Sequence, residues 1–434
     1  MRAPCTAILA AALGPFALAG EPAPQRSPAA RSRCLECHSQ LEGDALQPTR
    51  LAAEDIHFQR GLSCHDCHGG DPAAGADGDI GAAHDEARGF TGKPRRLTIP
   101  LLCSKCHSDA AFMKRFNPQA RVDQLGEYRT SIHGKRNSAG DERVAVCIDC
   151  HGAHGIRSVK DPRSTVFPAR VADTCGRCHD DAALMRDYGL PLGQHVGYKT
   201  SVHARALYER GDTTAPTCND CHGSHGAAPP GVQSVLQVCG SCHTREATLF
   251  REIEQKKGLD LAACIQCMVC HDNHAVQAPS DDMLGVGPRS TCTACHDRED
   301  PPYADAERMS ASLESLKARH AEASGLLSRA ERAGVEVSAD QFALHKAQER
   351  IVEARVLAHS FDRDRFLAVT QEGLDVAEQG MSAARRAFGE LRQRRLGLAV
   401  SLLVIVAVIA GLALKIRAIE GRAGATARDE DEAR

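Results

Sequence analysis

The sequence predicts a mainly α chain with much irregular loop, ending in a helical hairpin and one transmembrane helix. Three observations lead there. Cys-x-x-Cys-His recurs nine times, Trp is absent while aromatic residues make up only 4% of the 434 residues, and an apolar run of 21 residues lies near the C-terminus. The length allows two or three domains, yet so few aromatics leave no ordinary core, so something else organises the chain. With 20 cysteines the chain is too Cys-poor for a small disulfide scaffold. A net charge of −3 with 25% charged residues indicates neither a nucleic-acid partner nor a disordered acidic chain.

Residues 1–20 read as a secretory signal peptide. Arg2 starts it, an apolar stretch runs from Ala7 to Ala19, and Ala17-Leu18-Ala19 offers a small-residue cleavage site. Pro15 interrupts the stretch, which is too short to span a bilayer. Cys5 leaves with the signal, and residues 21–33, rich in Pro and Ala, form a linker. At the other end, residues 396–416 carry only Ser401 and Lys415 as polar side chains. At about 1.5 Å per residue they cross the roughly 30 Å hydrocarbon core. Arg392, Arg394 and Arg395 precede this span, and Lys415, Arg417, Arg422 and Arg428 follow it, so the charge bias is nearly tied. The export signal decides the orientation. It places the chain on the periplasmic side of a bacterial inner membrane, with a single-pass C-terminal anchor and residues 417–434 as a cytoplasmic tail.

Eighteen of the cysteines form the nine pairs, each followed at once by His. They are Cys34, Cys37 and His38; Cys64, Cys67 and His68; Cys103, Cys106 and His107; Cys147, Cys150 and His151; Cys175, Cys178 and His179; Cys218, Cys221 and His222; Cys239, Cys242 and His243; Cys267, Cys270 and His271; and Cys292, Cys295 and His296. This is the attachment motif of c-type haem. Two thiols one short turn apart reach the two vinyl groups on one porphyrin edge, and the adjacent His swings under the ring to coordinate iron. Zinc needs four tetrahedral ligands and no His after every second Cys, and a redox dithiol has no such need either. His is only 21 of 434 residues, so nine of nine by accident is negligible. Residues 34–300 are therefore expected to form a multihaem cytochrome c core wrapped around nine covalently attached, stacked haems. With the porphyrins packed on one another and on Leu, Val, Ile and Ala, the missing aromatics are accounted for.

The motifs repeat in pairs. Tyr128-Arg-Thr-Ser-Ile-His133 returns as Tyr198-Lys-Thr-Ser-Val-His203, and Cys147-Ile-Asp-Cys-His-Gly-Ala-His-Gly as Cys218-Asn-Asp-Cys-His-Gly-Ser-His-Gly. A second-type site follows each, at Cys175 and Cys239. The unit is a His, a first-type site and a second-type site. A looser copy holds His57 with the sites at Cys64 and Cys103, interrupted by an insertion over residues 71–87. A fourth copy has Cys267 and Cys292 without an upstream His.

Nine proximal histidines leave twelve others, enough to fill every sixth position. His57, His133 and His203 stand 7, 14 and 15 residues before a first-type site and are expected to ligate those haems. His154, His225 and His274 follow a proximal His by three residues, point away from their neighbour's iron, and are expected on the second-type haem of their own pair. His359 is expected to serve the fourth copy, and His84 or His195 the haem at Cys34. Cys264 is left over, either a bystander thiol, an evolutionary remnant or an unusual ligand near the haem at Cys267.

After Asp300 the pattern turns helical, and residues 301–395 are expected to form a helical hairpin or three-helix arrangement. Met309, Leu313, Leu316, His320 and Leu327 share one face. Phe342, His345, Val352, Val356 and His359 share a second, preceded by a Ser338–Gln341 capping box. No proline stops the last helix before the membrane span.

The paired sites, the His-Gly-x-His runs and the long helices after the last site resemble the periplasmic multihaem cytochrome superfamily over roughly residues 34–395. That superfamily includes the pentahaem nitrite reductases, the octahaem hydroxylamine oxidoreductases and their small tetrahaem relatives. The resemblance implies haems in parallel and perpendicular pairs forming a conduction path. The chain departs from the nitrite reductases in having no Cys-x-x-Cys-Lys site, and no Tyr matches the cross-linking residue of the hydroxylamine oxidoreductases. The function expected is electron transfer in an anaerobic-type respiratory chain, between a quinol-linked membrane partner and a periplasmic or outer-membrane acceptor. The rival is a multihaem oxidoreductase acting on nitrite, hydroxylamine or tetrathionate at one open-site haem.

Overall fold

Short helical turns close on the motifs themselves in a computed structural model, which describes residues 33–43, 47–74, 80–230, 235–257 and 266–432. The proposed signal peptide and Cys264 lie outside these residues. The described residues are helical or irregular and contain no strand.

The first-type sites are single turns: Cys64–His68, Cys147–His151, Cys218–His222 and Cys267–His271. In the first three, the Asp between the cysteines folds back to accept a backbone N–H from the residue before the turn. Ser63 N–H donates to Asp66, Val146 N–H to Asp149 and Thr217 N–H to Asp220, each at 2.7 Å. These bonds satisfy donors that a helix start leaves orphaned. A left-handed residue ends each turn. It is Gly69, Gly152 or Gly223 in the first three, but Asp272, at φ 65°, in the fourth. There Val269 also replaces the capping Asp, so this copy has lost both local devices. Second-type sites end longer helices, Ile99–His107 and Pro168–His179.

The repeats are held by the same long-range bonds each time. The residue before an upstream His donates its backbone N–H to the residue two beyond a downstream His-Gly-x-His, or His-Asp-x-His in the last case: Ile56 to Ile156 at 2.7 Å, Ile132 to Ala227 at 3.1 Å and Val202 to Val276 at 2.7 Å. Tyr128 and Tyr198 repeat a role too, donating their hydroxyls to the carbonyls of Ala145 and Pro216 just ahead of first-type sites. Arg96 forks onto Asp149 and donates to the Val144 and Glu142 carbonyls, fastening the third site's helix to the fourth site.

The chain divides into two compact units, residues 1–199 with 203–229, and residues 200–202 with 230–434. The first holds six motifs and has few buried apolar side chains, chiefly Ala172, Tyr198 and Ala204 in one cluster and Ala206, Leu207 and Ala215 in another. The second holds the other three motifs and the long helices Pro301–Arg332, Ser338–Leu357 and Arg363–Glu432. All the large, fully buried apolar side chains are in these helices: Leu313, Leu316, Leu327, Leu357, Phe366 and Met381.

The face expected on the first long helix is the buried one, with His320 half-buried. The second long helix differs. It buries Leu344, Ala347, Ile351, Ala354 and Leu357, while Phe342 is 80% exposed and Val352 50%. The alanines let neighbouring helices approach closely, and this packing overrides the larger side chains on the other face. Its expected capping box is absent as well: Val337 is the N-cap, and Ser338 donates to the Glu336 carboxylate instead. The third long helix runs without a break through residues 396–416, which no protein packing covers. It is long and apolar enough to cross a membrane.

Asp281, between the last two motifs, ties that loop to two of the long helices. Its carboxylate accepts Arg355 Nε and Nη2 at 2.8 and 2.9 Å and faces Lys317 Nζ at 2.7 Å. Arg355, helped by Lys317 against the opposing effect of burial, holds Asp281 down at about 2. Because this lies below the unfolded value of about 3.9, the ties contribute fully above about pH 4 and are lost as pH falls through about 2. Asp281→Asn is expected to cost about 1–2 kcal/mol at neutral pH and to flatten the acid loss of stability between those limits. Thermal melts by circular dichroism across that range check this, and an unchanged neutral-pH melt would refute it.

Candidate haem-binding sites

The proximal histidines are drawn to other histidines. His38 faces His84 with ring centres 6.1 Å apart, His107 faces His57 at 6.0 Å, and His68 faces His154 at 6.1 Å. His179 faces His133 at 6.3 Å, His151 faces His225 at 6.2 Å, and His271 faces His359 at 6.1 Å. An imidazole nitrogen binds a metal at about 2.0–2.1 Å, so two rings on opposite sides of one iron have centres about 6.2 Å apart. The spacing fits an iron between each pair.

The rings are also turned for that task. His68 and His222 place Nδ1 against the carbonyls of Gly92 and Ala228, at 2.8 and 3.1 Å. His84 and His359 place it against Ile80 and Val356, at 3.1 and 3.0 Å. His57 Nδ1 lies 3.0 Å from Asp55, which is buried and also accepts Ile156 N–H. Anchoring Nδ1 fixes the ring and leaves Nε2 for iron. Burial lowers His107, His133, His179 and His271 and takes His151 to about 4, with help from the facing His in each but His179, where His222 helps instead. These imidazoles are neutral at physiological pH, as a metal ligand must be. All eighteen motif cysteines are free thiols, as thioether formation requires.

Neighbouring sites meet through their sulfurs. Cys147 raises Cys103 by direct contact and is itself lowered; Cys175 and Cys218 stand in the same relation, and Cys218 falls to about 7. Burial, then Cys34, raises Cys64 to about 11, and contact with Cys239 brings Cys267 to about 7. The second cysteines complete the order. Cys106 acts on Cys67, Cys178 on Cys150, and Cys292 and Cys295 on Cys270. The sites thus adjoin in chain order, six in the first unit and three in the second.

Geometry departs from the expected pairing. His57 and His133 face the second-type sites of their copies, at His107 and His179, rather than the first-type sites that follow them most closely. His154 and His225 reach back to the first-type sites of the preceding copies, at His68 and His151. His84, one of the two candidates for the haem at Cys34, faces His38, and His359, assigned to the fourth copy without a choice between its sites, faces His271. His195 is held by Asp180 and Asp173, at 2.6 and 3.1 Å, which occupy both ring nitrogens. His203, His222, His243 and His274 are each engaged with neighbouring groups. The signal overlooked in the chain was the apolar residue beside each of these histidines, Ile56, Ile132, Ile156 and Ala227, through which one copy is bonded to the next.

The doubled CXXCH motif family matches residues 139–184, which contain the sites at Cys147 and Cys175. The match indicates a multihaem c-type cytochrome, with haem c covalently bound at paired motifs. No curated protein and no solved structure matches the chain.

Proposed function

We propose that this chain is a membrane-anchored, periplasmic electron conduit carrying nine haems. Its electrons pass between a quinol-linked membrane partner and a periplasmic or outer-membrane acceptor, in anaerobic-type respiration. It is read as a distant relative of the periplasmic multihaem superfamily, with stacked haems as the core of residues 34–300. The observation that carries the reading is the set of six histidine pairs spaced for one iron each. An iron held by two histidines has no free position for substrate, so these six sites suit electron transfer rather than catalysis. The sulfur contacts between successive sites supply short steps from haem to haem. His57, His84, His133, His154, His225 and His359 are the sixth ligands. Residues 1–20 are the export signal, and residues 396–416 are the anchor.

Mass spectrometry of the full matured chain is expected to find nine haems, and low-temperature EPR a spectrum dominated by low-spin iron. Fewer haems, or high-spin iron across the sites, would overturn the reading. A chain ended at Arg395 is expected in the soluble fraction; recovery with membranes would refute the anchor.

A further inference from the structure

The ninth site is built differently from the others. Cys292 opens a 3-10 turn, Cys292–Ala294, and Cys295 caps it, where the first-type sites have an α-helical turn; the site ends the run of three in its unit. Every histidine of the chain is among the described residues, yet no second imidazole faces His296. The spare rings are committed or distant. His65 belongs to the turn of the second site, with Ser63 2.6 Å from Nδ1 and Asp66 3.9 Å from Nε2, and two aspartates hold His195. His320 is twenty residues beyond Asp300 on one continuous helix, about 30 Å away along its axis. His345 is exposed and lies near His320, at a similar remove.

His296 has a carboxylate for a neighbour instead. Its Nδ1 lies 3.6 Å from Asp300 Oδ2, a charge contact longer than a hydrogen bond, and that oxygen accepts the Asp297 N–H at 3.0 Å. Neutral carbonyls face the same atom in His68 and His222. A carboxylate on that side makes the imidazole a stronger donor to iron. We infer that the iron at Cys292, Cys295 and His296 carries an exchangeable sixth position, open to a small uncharged ligand. The flanking Asp297-Arg298-Glu299-Asp300 is net acidic and disfavours anions. This inference rests on the conduit reading and gives the run a chemically distinct end.

Carbon monoxide is the probe, added to the reduced full chain in detergent. It is expected to bind about one haem in nine, and binding is expected to be lost in C292S/C295S. Asp300→Asn keeps the haem and is expected to lower the iron–histidine stretching frequency in resonance Raman spectra of the reduced protein. Absence of carbon monoxide binding, binding unchanged in C292S/C295S, or no Raman shift in Asp300→Asn would each overturn the inference. A haem count below nine in the unaltered chain would instead overturn the conduit reading, so the two failures are distinguishable.

Discussion

Replacing His225 with alanine is expected to turn one iron from low-spin to high-spin, and that iron is the one attached at Cys147 and Cys150. His225 and His151 face each other at 6.2 Å with planes only 17° apart, and burial keeps His151 neutral, with a value near 4. Removing the distal ring leaves water as the only available sixth ligand, a weaker field that favours the high-spin state. EPR is expected to show about one ninth of the iron changed and the haem count unaltered. A second background locates the change. In Cys147→Ser with Cys150→Ser the fourth haem is gone, and adding His225→Ala is expected to produce no new high-spin iron. From the sequence alone, His225 belongs to the haem at Cys239. On that assignment the high-spin signal would persist in the double background, and the interleaved pairing would fail.

That contrast marks what the chain discloses about itself. The nine Cys-x-x-Cys-His motifs are legible because thioether chemistry calls for two thiols and a His within five consecutive residues. The pool of proposed sixth ligands is nearly as legible, since His57, His84, His133, His154, His225 and His359 all face motif histidines. Which iron each serves is not legible from spacing. The partner is chosen by bonds such as Ile56 to Ile156, which join residues a hundred positions apart and bring one copy's upstream His beside the next copy's His-Gly-x-His run. Local reach placed His154 with its own pair; the long-range bond places it over His68. The long helices teach the same lesson on a smaller scale. Hydrophobicity singled out Phe342 and Val352, yet close packing chose Ala347 and Ala354. The poverty of aromatics was a better guide, because among the described residues the large, fully buried apolar side chains lie in the three long helices, and the motif-rich unit has little protein core of its own.

Removing the fourth haem is expected to slow electron redistribution within the first unit by orders of magnitude. Cys103 touches Cys147, and Cys178 is among the charges acting on Cys150, so the fourth site stands between the third and the fifth. Among the described residues, no contact of attachment sulfurs bridges the third and fifth sites directly. Electron tunnelling weakens exponentially with the gap, so a missing porphyrin does far more than a shifted potential. Serine at Cys147 and Cys150 leaves the local scaffold in place. Asp149 still accepts Val146 N–H and the Arg96 fork, and Tyr128 still reaches the Ala145 carbonyl. Pulse radiolysis delivers electrons within microseconds, and the spectral relaxation that follows measures their spread among the haems. The intact chain is expected to relax rapidly, and the eight-haem chain to retain a slow phase. His225→Ala supplies the control, because it alters ligation at the same site but keeps the porphyrin as a relay; its relaxation is expected to slow much less. Equal slowing in both variants would trace the effect to disturbed folding, and relaxation unchanged in the eight-haem chain would show that electrons pass the fourth site by another route.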